Sequence, residues 1–341
     1  MNRDELMATA ACMVASGKGI LAADESAPTI AKRLAAVGVE STEATRQAYR
    51  ELLFTAPDIE NYISGVILFD ETIRQRSGAG EPFPKLLDSR GILPGIKVDK
   101  GARDLAGHAG EKVTEGLDGL RERFAGYREL GARFSKWRAV IAIDGEAGLP
   151  SAACITANAH ALARYAALAQ EAGIVPIVEP EVLIGGAHTQ AECESATGRT
   201  LAAVFVALDN QGVLLEGMVL KPSMVIAGKQ CSRQSPVAEV AEATLRTLKR
   251  HVPAAVGGIA FLSGGQTPEQ ATAHLDAMNR AGPLPWPLTF SYARALQNPV
   301  LDIWQGEAGK ATAAAAAFAE RARLNHLARL GEYEPAMERA A

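Results

Sequence analysis

The chain has 341 residues, of which 48% are hydrophobic and 22% charged, and a formal net charge of -4. That length and apolar share allow one barrel-sized core or two smaller ones. The small net charge and interspersed signs exclude a protein whose main partner is nucleic acid or an anionic membrane, so any anion site must be local.

At the N-terminus, Arg3, Asp4 and Glu5 precede only a modest apolar stretch, without the basic start and apolar run of a signal peptide. No segment approaches the ~20 apolar residues of a membrane span. Cys12, Cys154, Cys193 and Cys231 lie far apart with no CxxC pair, so neither a disulfide framework nor a zinc site is expected. Reduced thiols in a cytoplasmic protein are.

Short apolar or β-branched runs that end in polar residues predict eight strands, at 19–24, 64–70, 95–99, 138–144, 174–181, 216–221, 258–263 and 287–293. Helical patterns lie between most of them. Over 151–172 apolar residues recur at helical spacing, with Ser151 as cap and Gly173 just past the end. Ser235 and Pro236 predict the cap and first position of a helix over 236–250. Thr267-Pro268-Glu269-Gln270 has the form of a capping box, and the alanine-rich 311–319 reads as helix because alanine has the highest helix propensity. Strands alternating with helices require parallel crossovers, which makes the fold class α/β. Eight units suggest a (β/α)8 barrel, one domain over residues 1–341 with an N-terminal helix and a short C-terminal tail. An open doubly wound sheet is the rival, although no GxGxxG follows the first strand.

In a barrel the chemistry sits at the carboxyl ends of the strands, and this sequence places charge there repeatedly. The first run ends in Asp24. Lys97 and Asp99, Lys136 and Arg138, and Glu179 and Glu181 are each two residues apart, so each pair shares one face of its strand. The sixth run ends in Lys221 before Pro222, which biases the lysine backbone toward an extended conformation. Singly, a strand-end lysine is usually a solvated charge and a Glu pair a salt bridge. Gathered in one barrel mouth these groups would form a mixed cluster with perturbed pKa values, which marks functional sites. An amine nucleophile must be unprotonated, so Lys221 needs desolvation or a nearby cation such as Lys136. After the seventh run, Ser263, Gly264 and Gly265 lead into the capped helix, and Ser291 and Arg294 follow the eighth. An SGG turn alone is an ordinary turn; with Arg294 in the adjacent loop it suits a phosphate.

The segments GKGILAADES, SGVILFD, GIKVDKG, FSKWR, AGIVPIVEPE, LEGMVLKP, FLSGGQ and TFSYARALQ, in this order, resemble class I fructose-bisphosphate aldolases from about residue 17 to about residue 335. The resemblance implies a tetrameric, glycolytic (β/α)8 barrel that cleaves fructose 1,6-bisphosphate reversibly into dihydroxyacetone phosphate and glyceraldehyde 3-phosphate, with no metal and no cofactor. It implies that Lys221 forms the Schiff base and that Glu179, with Glu181 beside it, transfers protons. Asp24 and Lys136 would handle the C4 hydroxyl and position the carbinolamine. One phosphate would fall to Ser263, Gly264, Gly265, Ser291 and Arg294. The other would fall to Arg33, Ser26, Thr29 and Lys97, with Arg138 assisting.

The pattern is departed from in three places. Ala293 stands where relatives carry glycine, which is expected to restrict that loop. Ala27-Pro28 replaces Thr-Gly, which is expected to stiffen the loop before Arg33. The chain stops at Glu338-Arg339-Ala340-Ala341 where many relatives have a longer arm ending in tyrosine; Tyr333 aligns with the start of such an arm, and preference between bis- and monophosphate turns on this. Three rivals remain. A transaldolase-like Schiff-base enzyme would not need two phosphate sites, and a non-catalytic scaffold would not need this cluster. A metal-dependent aldolase would use a Lewis acid, but none of the six histidines forms an HxxH or HxxxH pair.

Overall fold

The structure, a computed structural model, describes residues 2–339. Among them are ten strands: β1 (Gly19–Ala23), β2 (Ile63–Leu68), β3 (Leu93–Lys97), β4 (Ala102–Asp104), β5 (Lys112–Thr114), β6 (Phe134–Ile141), β7 (Val175–Val182), β8 (Val219–Leu220), β9 (Ile259–Phe261) and β10 (Leu288–Tyr292). Eight of these close a parallel barrel in the order β1-β10-β9-β8-β7-β6-β3-β2, while β4 and β5 form a separate antiparallel hairpin. Pairing of Ile20 with Ser291 and of Leu21 with Tyr292 joins the last strand to the first. That closure rules out the open sheet.

The two-residue period of a strand sorts side chains between two cores. Along β7, Val175 and Ile177 point into the barrel and Glu179 and Glu181 continue that face upward, whereas Val178 packs outward among the helices. Along β6, Phe134, Lys136 and Arg138 face inward. Ser135 and Trp137 face out, with the Ser135 hydroxyl 2.9 Å from that of Tyr165. Low in the barrel the Phe134 ring occupies the space over Gly65 and Gly95, where an added Cβ would come within 2.8 and 2.3 Å of it. The helix Arg3–Met13 then covers the bottom, burying Leu6, Ala10 and Met13 against the inner apolar layer. A Ser64 hydroxyl donating to Met13 O at 2.6 Å fixes its end.

Helices fill most crossovers. Ser151 caps Ala152–Glu171, accepting from the Cys154 N–H, and Gly173 (φ +68°) follows its end. The Thr267 capping box opens Pro268–Arg280, and the alanine-rich segment runs as helix from Ala311 to Leu330. Three expectations need correction. The helix expected from 236 spans Val237–His251 with Pro236 itself at the cap; the Ser235 hydroxyl donates instead to Gln190 Oε1 at 2.8 Å, tying the segment to the preceding helix. The fourth barrel strand begins at Phe134, not at 138, because Ser135 finds a buried partner and polar residues at its start do not end the ladder. Ala27-Pro28 is not a loop: it starts the helix Ala27–Ala36, where a proline costs no hydrogen bond, so Arg33 rides on a helix.

Candidate active site

A cavity of about 650 Å³ opens at the carboxyl ends of the barrel strands. All the residues singled out above line it except Gly265, which follows Gly264. Seven cationic and five acidic side chains face it, so this pocket is positive in a chain that is net negative. Such a local excess suits an anionic ligand.

The lowest ring of charge comes from the residues that continue each inward face. Lys221 lies one residue beyond β8, yet its backbone N–H still donates to Val178 O at 2.8 Å and holds it in the ladder. Its Nζ is 3.2 Å from Glu179 Oε1. Glu179 Oε2 is 3.3 Å from Lys136 Nζ without hydrogen-bond alignment, and Lys136 Nζ is 2.5 Å from Asp24 Oδ2. Thus four buried groups from β8, β7, β6 and the end of β1 form a line of alternating sign. Their titrations diverge. Burial would raise the Asp24 carboxyl, but the Lys136 and Lys221 charges outweigh it and hold Asp24 at about 2. Burial opposes ionisation of Glu179 too, and the same two cations bring it below the usual range. Burial disfavours the Lys136 ammonium, but Asp24 and Glu179 hold it well above the ordinary lysine value. Lys221 moves the other way: burial, helped by repulsion from Lys136, outweighs the pull of Glu179 and lowers its pKa. The two neighbouring lysines are thereby pushed apart: the charged form is favoured at Lys136, and the neutral amine is easier to reach at Lys221.

Higher in the mouth the charges are paired. Arg138 Nε binds Glu181, and Lys97 Nζ is 2.5 Å from Asp99 Oδ1. Asp99 also accepts from the N–H groups of Gly101 and Arg138, at 3.1 and 3.2 Å. Arg33 binds Glu25, whose second oxygen is 2.8 Å from the buried Arg50, and the hydroxyls of Ser26 and Thr29 lie 3.0 Å apart. Gln297 ties this side to the barrel: its Oε1 accepts from Tyr49 at 2.9 Å and from Arg33 at 3.4 Å, and its Nε2 donates to Ala22 O at 2.6 Å. Glu25, Arg50 and Gln297 were not singled out from sequence. A glutamine amid the apolar positions of ARALQNPVLDIW was the one signal for it.

The opposite side presents donors with no acceptor. Gly264 and Gly265 have φ of +56° and +91°, left-handed conformations that glycine adopts freely, in a tight turn closed by the Gln266 N–H donating to Ser263 O at 2.9 Å. The helix Pro268–Arg280 begins close by. Ser291 is 1% exposed and its hydroxyl has no partner. Ala293 precedes the helix Arg294–Trp304 with φ −105°, outside the left-handed region, so its methyl group imposes no backbone strain there.

Residues 5–341 match the family model described as "Fructose-bisphosphate aldolase class-I". The chain belongs to this family. It is 57% identical over 335 residues to a probable fructose-bisphosphate aldolase class 1 of Xanthomonas campestris, covering 98% of this chain and all of that one. It is 50% identical to the fructose-bisphosphate aldolase of Dictyostelium discoideum over 97% of this chain and 93% of that one. The fructose-bisphosphate aldolase of Plasmodium falciparum, solved in complex with TRAP and a small-molecule inhibitor, superimposes with a TM-score of 0.96 at 48% identity, over 97% of this chain and 96% of that one. The barrel is thus the fold of the family as well as of this sequence.

Proposed function

We propose that the protein is a Schiff-base aldolase that cleaves fructose 1,6-bisphosphate reversibly to dihydroxyacetone phosphate and glyceraldehyde 3-phosphate. The observation that carries the mechanism is Lys221, buried, lowered in pKa and 3.2 Å from Glu179. The neutral amine attacks the ketone carbon, Glu179 relays a proton from nitrogen to the new alkoxide to give the carbinolamine, and a second proton, taken up from solvent through Glu179, lets the hydroxyl leave as water, giving the iminium. Removal of the C4 hydroxyl proton then breaks the C3–C4 bond, and the iminium accepts the electron pair as an enamine. Asp24, held ionised at about 2, is a strong acceptor site for that hydroxyl but a weak base, which leaves Glu179 as the better proton carrier. Lys136, kept cationic by Asp24 and Glu179, steadies the developing oxyanion.

Two anion sites support a bisphosphate. The phosphate nearer the ketone falls to the loops after β9, which neighbours β8 and Lys221, and after β10, the next strand round the barrel. The other falls to Arg33, Ser26, Thr29 and Lys97, with Arg138 alongside. The same proposal takes residues 1–341 as one barrel domain, supported by a single outer core that draws on residues from Leu21 to Tyr333. Ala340 and Ala341, at the end of the short tail, lie outside the described residues. Metal independence, a cytoplasmic location, the glycolytic setting and a homotetramer belong to it too. Family membership supports them, and none of the described helices is long and apolar enough to cross a membrane.

Borohydride added with dihydroxyacetone phosphate should trap a covalent adduct, which peptide mass mapping places on Lys221. Lys221→Ala should abolish it. An adduct on another lysine would remove the assignment, and activity lost on dialysis against a chelator would remove the metal-free mechanism. The relative rates with fructose 1,6-bisphosphate and fructose 1-phosphate test the two-phosphate reading.

A further inference from the structure

We propose that Lys229 is a second cation of the phosphate site at Ser263, Gly264 and Gly265, where with Arg294 it grips the phosphate nearer the ketone. This rests on the aldolase reading above. A Cβ built on Gly265 would lie 3.2 Å from Arg294 Nη2 and 3.2 Å from Lys229 Nζ. The two cations therefore stand over the same stretch of backbone, within twice that distance of each other, although they come from loops far apart in sequence. Among the described residues neither has a carboxylate within ion-pair range, whereas Lys97, Lys136, Arg33 and Arg138 around the same mouth all do. Two cations held together without a counter-charge repel, and an anion between them relieves that repulsion.

Lys229 is held where it is by its backbone. Its N–H donates to Ile184 O at 2.9 Å, and on either side the N–H of Gly228 donates to His188 O at 2.8 Å and that of Gln230 to Gly186 O at 3.0 Å. The Gln230 side chain accepts in return from Gly186 N at 2.7 Å. The approach is so close that a Cβ on Gly228 would sit 2.3 Å from Gly186 O. The loops after β7 and β8 are thus stapled into one platform, and its free side chain reaches across to Gly265. The ligand that fits is a phosphate monoester dianion: two cations, turned glycine amides, and the buried Ser291 hydroxyl that has no partner. Lys229 does not line the cavity around Lys221. Its charge acts on binding and leaves the bond-making steps alone.

The test compares the wild type with Lys229→Met and Lys229→Arg. The half-saturating dihydroxyacetone phosphate for borohydride trapping, the KM for fructose 1,6-bisphosphate and the inhibition constant of inorganic phosphate should each rise about three- to tenfold in Lys229→Met, as expected for one charge-assisted contact from an exposed lysine. The loss should fall on KM, with kcat changed less than about twofold, and KM should depend less steeply on salt. Lys229→Arg should restore most of the binding. Unchanged half-saturation and phosphate inhibition in Lys229→Met overturn the proposal, as does a loss confined to kcat. A wild type that traps no adduct on Lys221 would instead refute the aldolase reading, and the ketone ligand with it.

Discussion

Replacing Lys136 with methionine keeps the side chain's apolar stem and removes the charge that stands between Asp24 and Glu179. Lys136 and Lys221 approach opposite oxygens of the Glu179 carboxylate, at 3.3 and 3.2 Å. The two nitrogens are then at most about 9 Å apart, a separation at which like charges repel by about 2 kcal/mol at an effective permittivity of about 20. That repulsion favours the neutral form of Lys221 and vanishes in the variant, so the share of free amine at a given pH should fall about 20-fold on the acid limb. The sign follows from the cause: the Lys221 pKa, now lowered by burial and by Lys136, must rise. Asp24 loses its strongest cation, burial gains the upper hand, and its carboxyl rises as well. The assay is the rate of borohydride trapping with saturating dihydroxyacetone phosphate as a function of pH. In Lys136→Met the limb on which the rate climbs with pH should move to higher pH, with the plateau largely retained. A profile that superimposes on the wild type would show that Lys136 does not set the state of Lys221, and the division of the two lysines into cation and amine would fail.

Other outcomes follow from the same geometry. Glu179→Gln should lower kcat by about 10²–10⁴, the usual contribution of a positioned proton carrier, with little change in half-saturation; near-normal kcat would exclude Glu179 from proton transfer. Arg33→Ala should raise KM for fructose 1,6-bisphosphate and leave dihydroxyacetone phosphate trapping untouched, whereas Arg294→Ala should weaken both; equal effects on the two ligands for Arg33→Ala would contradict the division of the phosphates. Asp24 stands at about 2 against an ordinary 3.8, a difference equivalent to about 2 kcal/mol. Because the folded value is the lower one, this contribution is complete above about pH 4 and is lost as pH falls through about 2. The gap in urea midpoint between wild type and Asp24→Asn should narrow on acidification, and a widening gap would reverse the sign of the coupling. Gln297→Leu should cost about 1–3 kcal/mol through the unpaired donors and acceptors it leaves buried, seen as a lower urea midpoint.

The eight barrel strands were legible because burial on both faces produces short apolar runs, and because charge at their ends breaks those runs where the barrel opens. The same charges blurred the boundaries. Phe134, Ser135 and Lys136 belong to β6, yet their mixed polarity looks like an approach to a strand; only the outward partner Tyr165 explains a buried serine there. The hairpin Ala102–Asp104 with Lys112–Thr114 has three-residue strands, too short for any alternation to register. Period-2 logic alone joined Lys136 to Arg138 and Glu179 to Glu181. It could not foresee that Lys136 and Lys221 would share one carboxylate, since that depends on the register of β6, β7 and β8. Glu25, Arg50, Gln297 and Lys229 act through contacts up to 275 positions away in sequence, and no local pattern encodes such meetings: Gln297 reaches Arg33 and Ala22 only after the barrel closes.

The Phe134 ring and the helix Arg3–Met13 make the barrel a cup, with a stopper below and a single rim above. Traffic through such a vessel is one-lane. On the proposed Schiff-base mechanism, once the carbon chain is cut the fragment held at Lys221 would occupy the bottom and the free aldehyde would lie nearer the rim. The aldehyde would then be the first to leave, and in the reverse direction the ketone would have to be seated before the aldehyde could enter. Order of release is then a property of the packing beneath the reaction, set by residues that never touch the sugar.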